Sequence, residues 1–393
     1  MDPVRPVRIL HLIDSLPREG AEMLLFDLIQ RSDRSLLDFS VCSLTGGGGV
    51  EKMLAELGVA VHLLGRRSPG DVSAFRRLCR IIRSGGVEIV HTHIFSSHLW
   101  GAAAGRRCGA KVMRTEHNMS AWKRGWRARA DRVLARMTDR AIAVSEPVRT
   151  SLIEVSGFAP DRVVTIANGL NLRRIGAMAG ETKIRQELGL SPASLVAGTS
   201  AALTPKKGHR YLLDAAALLR ADFPGLHFLL LGEGELREEI AEGIRARNLQ
   251  GTVHLLGSRP DALEIVAGLD VFVMSSVREG LSIALLEAMA LERPVVVTAV
   301  GGAVDVIEDG VSGVLVPERD ARALAAGITS VLSSPARSVR MGRRARTAVE
   351  ERFDFDRMVR RYEEEYLRLV RPPGKRLPEE VGSGTMASGK IER

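Results

Sequence analysis

Two glutamates, Glu279 and Glu287, stand eight positions apart in the segment REGLSIALLEAMA, residues 278–290. Ser282 between them is a residue type that caps helix N-termini, which predicts Glu279 in a loop and Glu287 on the second helical turn. Amides at a helix start attract an anion, and flanking carboxylates can bind hydroxyl groups. The spacing alone favours solvated surface charges. The Gly-Leu-Ser helix start and the buried strand before it favour a site for a nucleoside diphosphate sugar.

Glycines let a backbone approach a phosphate closely, and three glycine-containing segments are therefore candidates for phosphate binding. Gly20 opens a predicted helix after the first strand, where contact with a phosphate or an acceptor is useful. Residues 46–49 are all glycine, but no Gly-Lys-Ser/Thr follows, so they predict a flexible loop tip and not a P-loop. Residues 232–234 are too short for a dinucleotide fingerprint and predict a strand-to-helix turn. Gly20 is the candidate binding residue among them.

Histidines and cysteines raise the question of a metal. Four histidines lie in the first half of the chain without a carboxylate or cysteine ligand pattern: His91, His93, His98 and His117. The chain has three cysteines, an odd number without metal-ligand spacing: Cys42, Cys79 and Cys108. We interpret them as small core residues of a protein in a reducing compartment. We expect no metal and no cofactor.

These side chains need a scaffold, and short β-branched runs alternating with helical patterns supply it. The first series of predicted strands comprises residues 7–13, 39–44, 59–64, 87–92, 110–115, 140–144 and 162–166. The second series comprises residues 195–200, 226–231, 252–256, 270–274, 294–298 and 313–316. Such alternation is typical of parallel sheets, so the expected fold class is α/β with two doubly wound domains. Ligands of these domains bind at the carboxyl ends of the strands.

The domain limits follow from turn-forming residues in the sequence. A turn-rich stretch at 168–180 places the boundary near residue 175, giving domains of residues 1–175 and 176–352. Residues 353–371 contain a strong amphipathic helix that could pack across both domains. Residues 372–393 mix proline, glycine, serine and charges, and predict a disordered tail.

Composition narrows the class of protein. With 393 residues, 45% apolar and 26% charged, the chain is neither disordered nor fibrous. A net charge of +9 suits an anionic partner. Residues 1–8 lack the apolar region of a secretory signal, and the longest uncharged run, residues 188–205, is interrupted by glycine and proline. We therefore expect a cytoplasmic protein without a membrane-spanning segment.

Eight segments, ordered along both predicted domains, match the motifs of one enzyme family. They are residues 12–22, 90–93, 114–118, 143–146, 166–169, 203–209, 231–234 and 278–290. On these segments the chain resembles the retaining glycosyltransferases of family 4 over most of residues 7–370. The resemblance implies the GT-B architecture of two facing Rossmann-like domains, an acceptor-binding first domain and a second domain that binds the nucleotide sugar.

The resemblance also implies how the donor is held. Glu279 would face the hydroxyls of the donor sugar, and Glu287 would bind the ribose of the nucleotide. Lys207 would contact the pyrophosphate, with backbone amides from Gly280 and Leu281. An ammonium group and oriented amides can stabilise a departing nucleoside diphosphate without a metal.

The matching segment 114–118 supplies the other side of the reaction. In the resembled family, the histidine at the position of His117 lies near the reacting sugar, so His117 joins Glu279 and Lys207 as a catalytic candidate; Glu116 is its neighbour. The resemblance implies sugar transfer to an acceptor hydroxyl with retention of configuration, in polysaccharide or glycolipid biosynthesis. The base, UDP or GDP, stays open, with residues 257–259 as the loop expected to contact it.

Residues 122–140 carry seven Lys or Arg against two Asp, with Trp122 and Trp126 among them. A basic helix with tryptophans can lie on an anionic membrane, where lipid-linked acceptors occur, or can be a solvated helix near the acceptor cleft. Nucleic acid is a weaker interpretation because no binding module is visible. The expected acceptor is a lipid-linked or growing polysaccharide, and a small-molecule acceptor stays open.

Two positions depart from the family pattern. Ala202 stands where the family often has an arginine that contacts the pyrophosphate, and Glu19 precedes Gly20 where paired glycines are common. Ala202 leaves open a catalytically weak nucleotide-sugar-binding or partner-activating subunit. A nucleotide-sugar epimerase of similar two-domain build is a third interpretation, which the glutamate segment disfavours.

Overall fold

All thirteen predicted strands are present in the computed structural model, which describes residues 5–17, 20–117, 126–176 and 183–371. They form one sheet of seven strands and one of six, and every strand pair is parallel. The predicted α/β class with two doubly wound domains is confirmed.

The first sheet consists of seven strands: β1 Val7–Ile13, β2 Leu37–Ser43, β3 Ala60–Leu63, β4 Ile89–His93, β5 Lys111–Glu116, β6 Arg140–Ala143 and β7 Val163–Thr165. Their order across the sheet is β3-β2-β1-β4-β5-β6-β7. The order reverses between β1 and β4, so the loops that follow these two strands diverge and open a crevice.

The second sheet consists of six strands: β8 Leu195–Ser200, β9 Leu226–Leu231, β10 Val253–Gly257, β11 Val271–Met274, β12 Val295–Thr298 and β13 Val314–Val316. Their order across the sheet is β10-β9-β8-β11-β12-β13. Here the order reverses between β8 and β11. Lys207 follows β8 and Glu279 follows β11, so both candidates stand at this switch point.

Helices connect the strands and cover both faces of each sheet. They are α1 Gly20–Arg31, α2 Gly49–Glu56, α3 Val72–Ser84, α4 Ile94–Cys108, α5 Trp126–Arg136, α6 Glu146–Glu154, α7 Leu172–Gly176, α8 Ile184–Glu187, α9 His209–Leu219, α10 Arg237–Ala246, α11 Ala262–Ala267, α12 Ile283–Ala290, α13 Ala303–Val306, α14 Ala321–Leu332, α15 Pro335–Arg352 and α16 Phe355–Val370. Among the described residues, no helix combines the length and the apolarity needed to cross a membrane.

The chain returns to the first domain between α15 and α16. The amide of Leu170 donates a hydrogen bond of 2.8 Å to the carbonyl of Phe353, and Asp354 caps α16 by accepting from the amide of Arg357. The helix α16 then buries Phe355, Tyr362 and other apolar side chains in the core of the first sheet. The expected crossing is thus a short connection, and the helix after it lies mainly on the first domain.

Some predictions about segments change or stay open. Gly48, in the expected loop tip, packs on the loop after β1: an added Cβ would lie 2.1 Å from the carbonyl oxygen of Leu16. Close approach therefore requires glycine there, which the prediction of a flexible tip missed. The domain limits at residues 175 and 352 stay predictions, and the tail at 372–393 lies outside the described residues.

Candidate active site

Two loops of the second domain are joined into one unit at the switch point. Lys207 ends a 3₁₀ turn, Pro205–Lys207, and Gly208 follows it at φ 64°. A Cβ at Gly208 would lie 2.2 Å from the carbonyl oxygen of Ser275, so this position needs glycine for both its conformation and its packing. Ser275 Oγ donates to the Lys207 carbonyl at 3.1 Å, which fixes the lysine turn against the end of β11.

Lys207 and Glu279 form an ion pair within this unit. The distance from Lys207 Nζ to Glu279 Oε2 is 2.5 Å, and the side chains are only 14% and 9% exposed. Ser276 Oγ donates to the same carboxylate oxygen at 3.4 Å. Each charge compensates the other, which a buried charge requires. The pair therefore holds a cation and a hydrogen-bond acceptor in one place.

The start of α12 has the predicted form. Ser282 caps the helix and accepts a hydrogen bond from the amide of Leu285 at 3.4 Å. Glu287 lies half-buried on the second turn and interacts with another group of the protein. Among the described residues, the backbone hydrogen bonds include none donated by the amides of Gly280 or Leu281.

Gly280 is also where the segment before α12 meets the first domain. A Cβ on Gly280 would lie 1.9 Å from the carbonyl oxygen of His117, so only glycine allows this approach. Asn168 adds a second link, because its Nδ2 donates to the carbonyl of Leu281 at 3.0 Å. The structure thus brings together His117 and the segment that carries Glu279, which are far apart in sequence.

His117 directly follows β5 and is half-buried. Its Nε2 lies 3.2 Å from Nδ1 of His93, which in turn contacts His11 through its other nitrogen. Burial lowers the pKa of His117 to about 4, although the nearby charge of Glu116 acts in the opposite direction. His117 is therefore neutral at ordinary pH and can donate or accept a hydrogen bond without adding charge.

Glu116, the neighbour of His117, belongs to a buried ion-pair cluster. Its carboxylate pairs with the guanidinium of Arg114, which also pairs with Asp131 of α5 at 2.8 Å. Both side-chain exposures in the Arg114–Asp131 pair are 0%. This cluster ties the end of β5 to α5 and supports the loop on which His117 lies.

Gly20 begins α1 at the carboxyl end of β1, as predicted. An added Cβ there would meet no atom of the described residues within 4 Å, so their packing does not require glycine. Its role in binding a phosphate or an acceptor stays a prediction.

The basic segment is only partly described. Trp122 and the lysine and arginine after it lie outside the described residues. Within α5, the arginines at 127, 129, 132 and 136 are exposed, whereas Asp131 is buried. Arg140 forms an ion pair within the protein, with its Nε 2.5 Å from Glu365 Oε2. The segment therefore has a basic outer face and an anchored inner one.

Arg259, in the loop expected to contact the base, forms two ion pairs within the protein. Arg259 pairs with Glu187 at 3.0 Å and with Asp261 at 2.7 Å. These carboxylates already satisfy the guanidinium, so a contact with the base through Arg259 would require it to leave them.

Sequence reasoning missed His11 and Asn168 as site residues. His11 is a polar residue in the middle of an otherwise apolar strand, Val7–Ile13, which is a signal that could have found it. Asn168 lies in a segment that matched the family, but no local pattern shows that its amide reaches Leu281 in the other domain.

Two family models match the chain in succession. The model described as Glycosyltransferase Family 4 matches residues 10–174, and the model described as Glycosyl transferases group 1 matches residues 180–348. Their junction falls in the segment that the sequence indicates as a linker.

Relatives and solved structures agree with this assignment. The putative glycosyltransferase EpsF of Bacillus subtilis is 28% identical over 74% of this chain and 79% of its own length. The UDP-Gal:alpha-D-GlcNAc-diphosphoundecaprenol alpha-1,3-galactosyltransferase of Escherichia coli is 24% identical over 76% of this chain and 80% of its own. The structure of Anabaena HepE with UDP and glucose has a TM-score of 0.82 at 23% identity, covering 91% of this chain and 99% of that one. The chain therefore belongs to the GT-B glycosyltransferases of the family 4 and group 1 type.

Proposed function

We propose that this glycosyltransferase moves a hexose from a UDP-sugar to an acceptor hydroxyl, with retention of anomeric configuration and without a metal. The observation that carries the proposal is the Lys207–Glu279 ion pair at the switch point, faced by the His117 loop across the Gly280 contact. The choice of UDP is supported by the complexes of HepE with UDP and with UDP-glucose, and by the UDP-galactose donor of the Escherichia coli relative.

Donor binding would separate the ion pair. Lys207 would turn from Glu279 to the pyrophosphate, whose two negative charges make it a stronger partner than one carboxylate. Glu279 would then accept hydrogen bonds from the sugar hydroxyls, and Glu287 from the ribose. The amides of Gly280 and Leu281 would bind phosphate oxygens at the start of α12.

Bond cleavage leaves the nucleoside diphosphate with added negative charge. Lys207 and the two amides would stabilise this charge in a site that excludes most water, so no metal is needed. His117 would make a hydrogen bond to the reacting sugar or the incoming hydroxyl. Retention is proposed from the family alone.

For the acceptor we propose a lipid-linked saccharide, and with it a peripheral, cytoplasmic site of action in polysaccharide or glycolipid synthesis. The Escherichia coli relative is named for a diphosphoundecaprenol-linked acceptor. The exposed arginines of α5 would approach an anionic membrane surface, and the three free cysteines suit a reducing compartment. Flotation with vesicles that contain anionic phospholipid tests the membrane contact at low and high salt.

The test of the reaction uses the purified chain, a panel of UDP-sugars and GDP-sugars, and lipid-linked and free saccharide acceptors. We expect transfer from a UDP-sugar that persists in EDTA, with proton NMR of the product showing the donor's anomeric configuration. Binding of UDP-sugars without transfer would indicate a binding or activating subunit, for which Ala202 is the argument. Conversion of the sugar without any acceptor would indicate an epimerase.

A further inference from the structure

Three histidines of the first domain form a continuous row that ends at the cleft. Nδ1 of His11 lies 2.9 Å from Nε2 of His93, and Nδ1 of His93 lies 3.2 Å from Nε2 of His117. The rings of His93 and His117 are stacked at 22° with centroids 5.5 Å apart. The nitrogen left over at the cleft end is Nδ1 of His117, and the one left over at the inner end is Nε2 of His11.

The backbone holds this row in place from both sides. His11 is central in β1, and His93 is the last residue of the neighbouring strand β4. Ile94, directly after His93, has φ 65°, a left-handed conformation that a β-branched residue rarely adopts. Strain of this kind persists where the surrounding structure over-determines it. The position of His93 is therefore fixed at a local conformational cost.

A metal is a poor explanation of the cluster. The nitrogens of His11, His91 and His93 lie within 4.8 Å of one another, whereas ligands of a tetrahedral zinc are only about 3.4 Å apart. His91 already contacts Tyr366 OH at 2.7 Å and Thr115 Oγ1 at 2.8 Å through its two nitrogens. Both nitrogens of His93 are engaged within the row. Hydrogen bonding accounts for both nitrogens of His91, both nitrogens of His93 and Nδ1 of His11.

Proton counting shows what the row can do. Burial lowers the pKa of His11 to about 3 and also lowers that of His93, so each ring carries one proton. If the proton of His93 is on Nδ1, that group donates to Nε2 of His117, and His117 then presents Nδ1–H to the cleft. Nε2 of His93 accepts from Nδ1–H of His11, which leaves a lone pair on Nε2 of His11. The opposite arrangement places an N–H on Nε2 of His11, a buried atom without a hydrogen-bond partner among the described residues. Buried N–H groups without an acceptor are rarer than buried acceptors without a donor, so the first arrangement is favoured.

We propose that His93 and His11 are positioning residues that fix the ring orientation and the tautomer of His117, so that His117 presents Nδ1–H to an oxygen of the reacting substrates. This inference rests on the proposed function for the identity of those substrates. The row ends at Nε2 of His11, which has no hydrogen-bond partner among the described residues, so the row has no onward group there to relay a proton. It acts by holding one donor in one direction, which removes the cost of ordering it during the reaction.

The experiment compares His11→Asn with His11→Leu. The amide nitrogen of asparagine can donate to Nε2 of His93, as Nδ1–H of His11 does in the favoured arrangement, whereas leucine fills the space without a hydrogen bond. We expect His11→Asn to keep kcat within about threefold of the parent and His11→Leu to lower kcat about tenfold, with unchanged affinity for UDP in both. His98→Leu is the matched control, since His98 is a buried histidine of the same domain that bonds Thr92 and Thr138 outside the row. It should lower thermal stability as much as His11→Leu but not kcat.

A second readout does not depend on turnover. In histidine labelled with ¹⁵N, His117 of the parent should show a single neutral tautomer with the proton on Nδ1, and His11→Leu should show a mixture. Equal kcat for His11→Asn and His11→Leu, the Nε2–H tautomer of His117, or zinc binding that displaces the row would overturn the inference. If the parent transfers no sugar while the tautomer result holds, the proposed function fails and the inferred row stands.

Discussion

The two sides of the cleft bury charge in different ways. On the second-domain side, one cation meets one carboxylate in the Lys207–Glu279 pair, and both side chains retain some exposure to the cleft. On the first-domain side, Arg114 lies between Glu116 and Asp131 with no exposure of its guanidinium side chain. A pair that borders the cleft can exchange its partners for those of a ligand. A cluster sealed inside the protein can only hold the structure around it.

The contrast extends to the groups at the cleft. The second-domain side carries the charges of Lys207 and Glu279, whereas the first-domain side carries the row of His11, His93 and His117, whose pKa values are lowered by burial. Under the proposed function, the charged side would bind the pyrophosphate of the donor, and the neutral side would receive the acceptor hydroxyl.

Replacing Arg114 tests whether the first-domain cluster is structural. Arg114→Met leaves two buried carboxylates without their cation, so we expect a loss of about 3–5 kcal/mol in the free energy of unfolding. Urea denaturation measures it. The control is Arg106→Met, which removes a half-exposed pairing with Asp139 and should cost about 1 kcal/mol or less. Similar losses for the two variants would place Arg114 among ordinary surface ion pairs.

Acid should destabilise the first domain through its neutral histidines. The pKa values of His11 and His117 in the folded chain, about 3 and about 4, lie below the ordinary 6.5. As the pH falls below 6.5, the unfolded chain therefore binds protons that the folded chain does not, and the free energy of unfolding falls. We expect Tm to drop steadily from pH 7 to pH 4.5.

The slope of that drop can be assigned to a residue. His11→Asn cannot titrate at this position and should make Tm less dependent on pH than it is in the parent. A slope that is the same in both proteins would mean that other groups govern the acid response.

Lys207→Ala tests the ion pair on the second-domain side of the cleft. With Ala202 supplying no cation, loss of Lys207 should weaken UDP binding by more than one charge-assisted hydrogen bond, which is about 1.5–3 kcal/mol, and should lower turnover as well. The unfolding free energy should fall less than in Arg114→Met, because Glu279 borders the cleft and can be hydrated. Lys206→Ala removes the neighbouring lysine as a control. Calorimetry that finds equal UDP affinity for Lys207→Ala and the parent would move the pyrophosphate elsewhere.

The two glutamates should separate by ligand. Glu287→Ala should weaken UDP and UDP-sugar alike, since both contain the ribose, with a loss of about 1–2 kcal/mol. Glu279→Ala should reduce turnover of the donor more than it reduces affinity for UDP, because its partner is the sugar. Isothermal titration with each ligand distinguishes these patterns, and parallel losses at both positions would contradict the assigned roles.

Local sequence patterns were sufficient for the scaffold but not for the contacts across it. The runs at 195–200 and 226–231 coincide with β8 and β9 because buried parallel strands need continuous apolar residues. The Ser282 cap was readable because capping is local. The contact between His11 and His93 depends on β1 lying beside β4, and that between Asn168 and Leu281 depends on domain docking. Neither strand order nor docking leaves a local pattern.

The smallest expected effect comes from adding a cation to the donor side. Ala202 follows β8 by two residues and is half-buried in the loop that leads to the Lys207 turn. Ala202→Arg places a guanidinium at the position where the family often carries one. We expect UDP to bind about 0.5–1.5 kcal/mol more tightly, because the new charge would share the pyrophosphate with Lys207.

The control for a general gain in positive charge is Ala193→Arg, an exposed position just before the amino end of β8 and therefore at the opposite edge of the sheet. Only Ala202→Arg should tighten UDP binding, and in the Lys207→Ala background it should restore part of the lost affinity. Rescue without Lys207 would show that the loop after β8, rather than one particular lysine, is the element that supplies charge to the pyrophosphate. Equal gains for both arginine variants would reduce the effect to long-range attraction, which 0.5 M salt should abolish because screening then acts within about 4 Å.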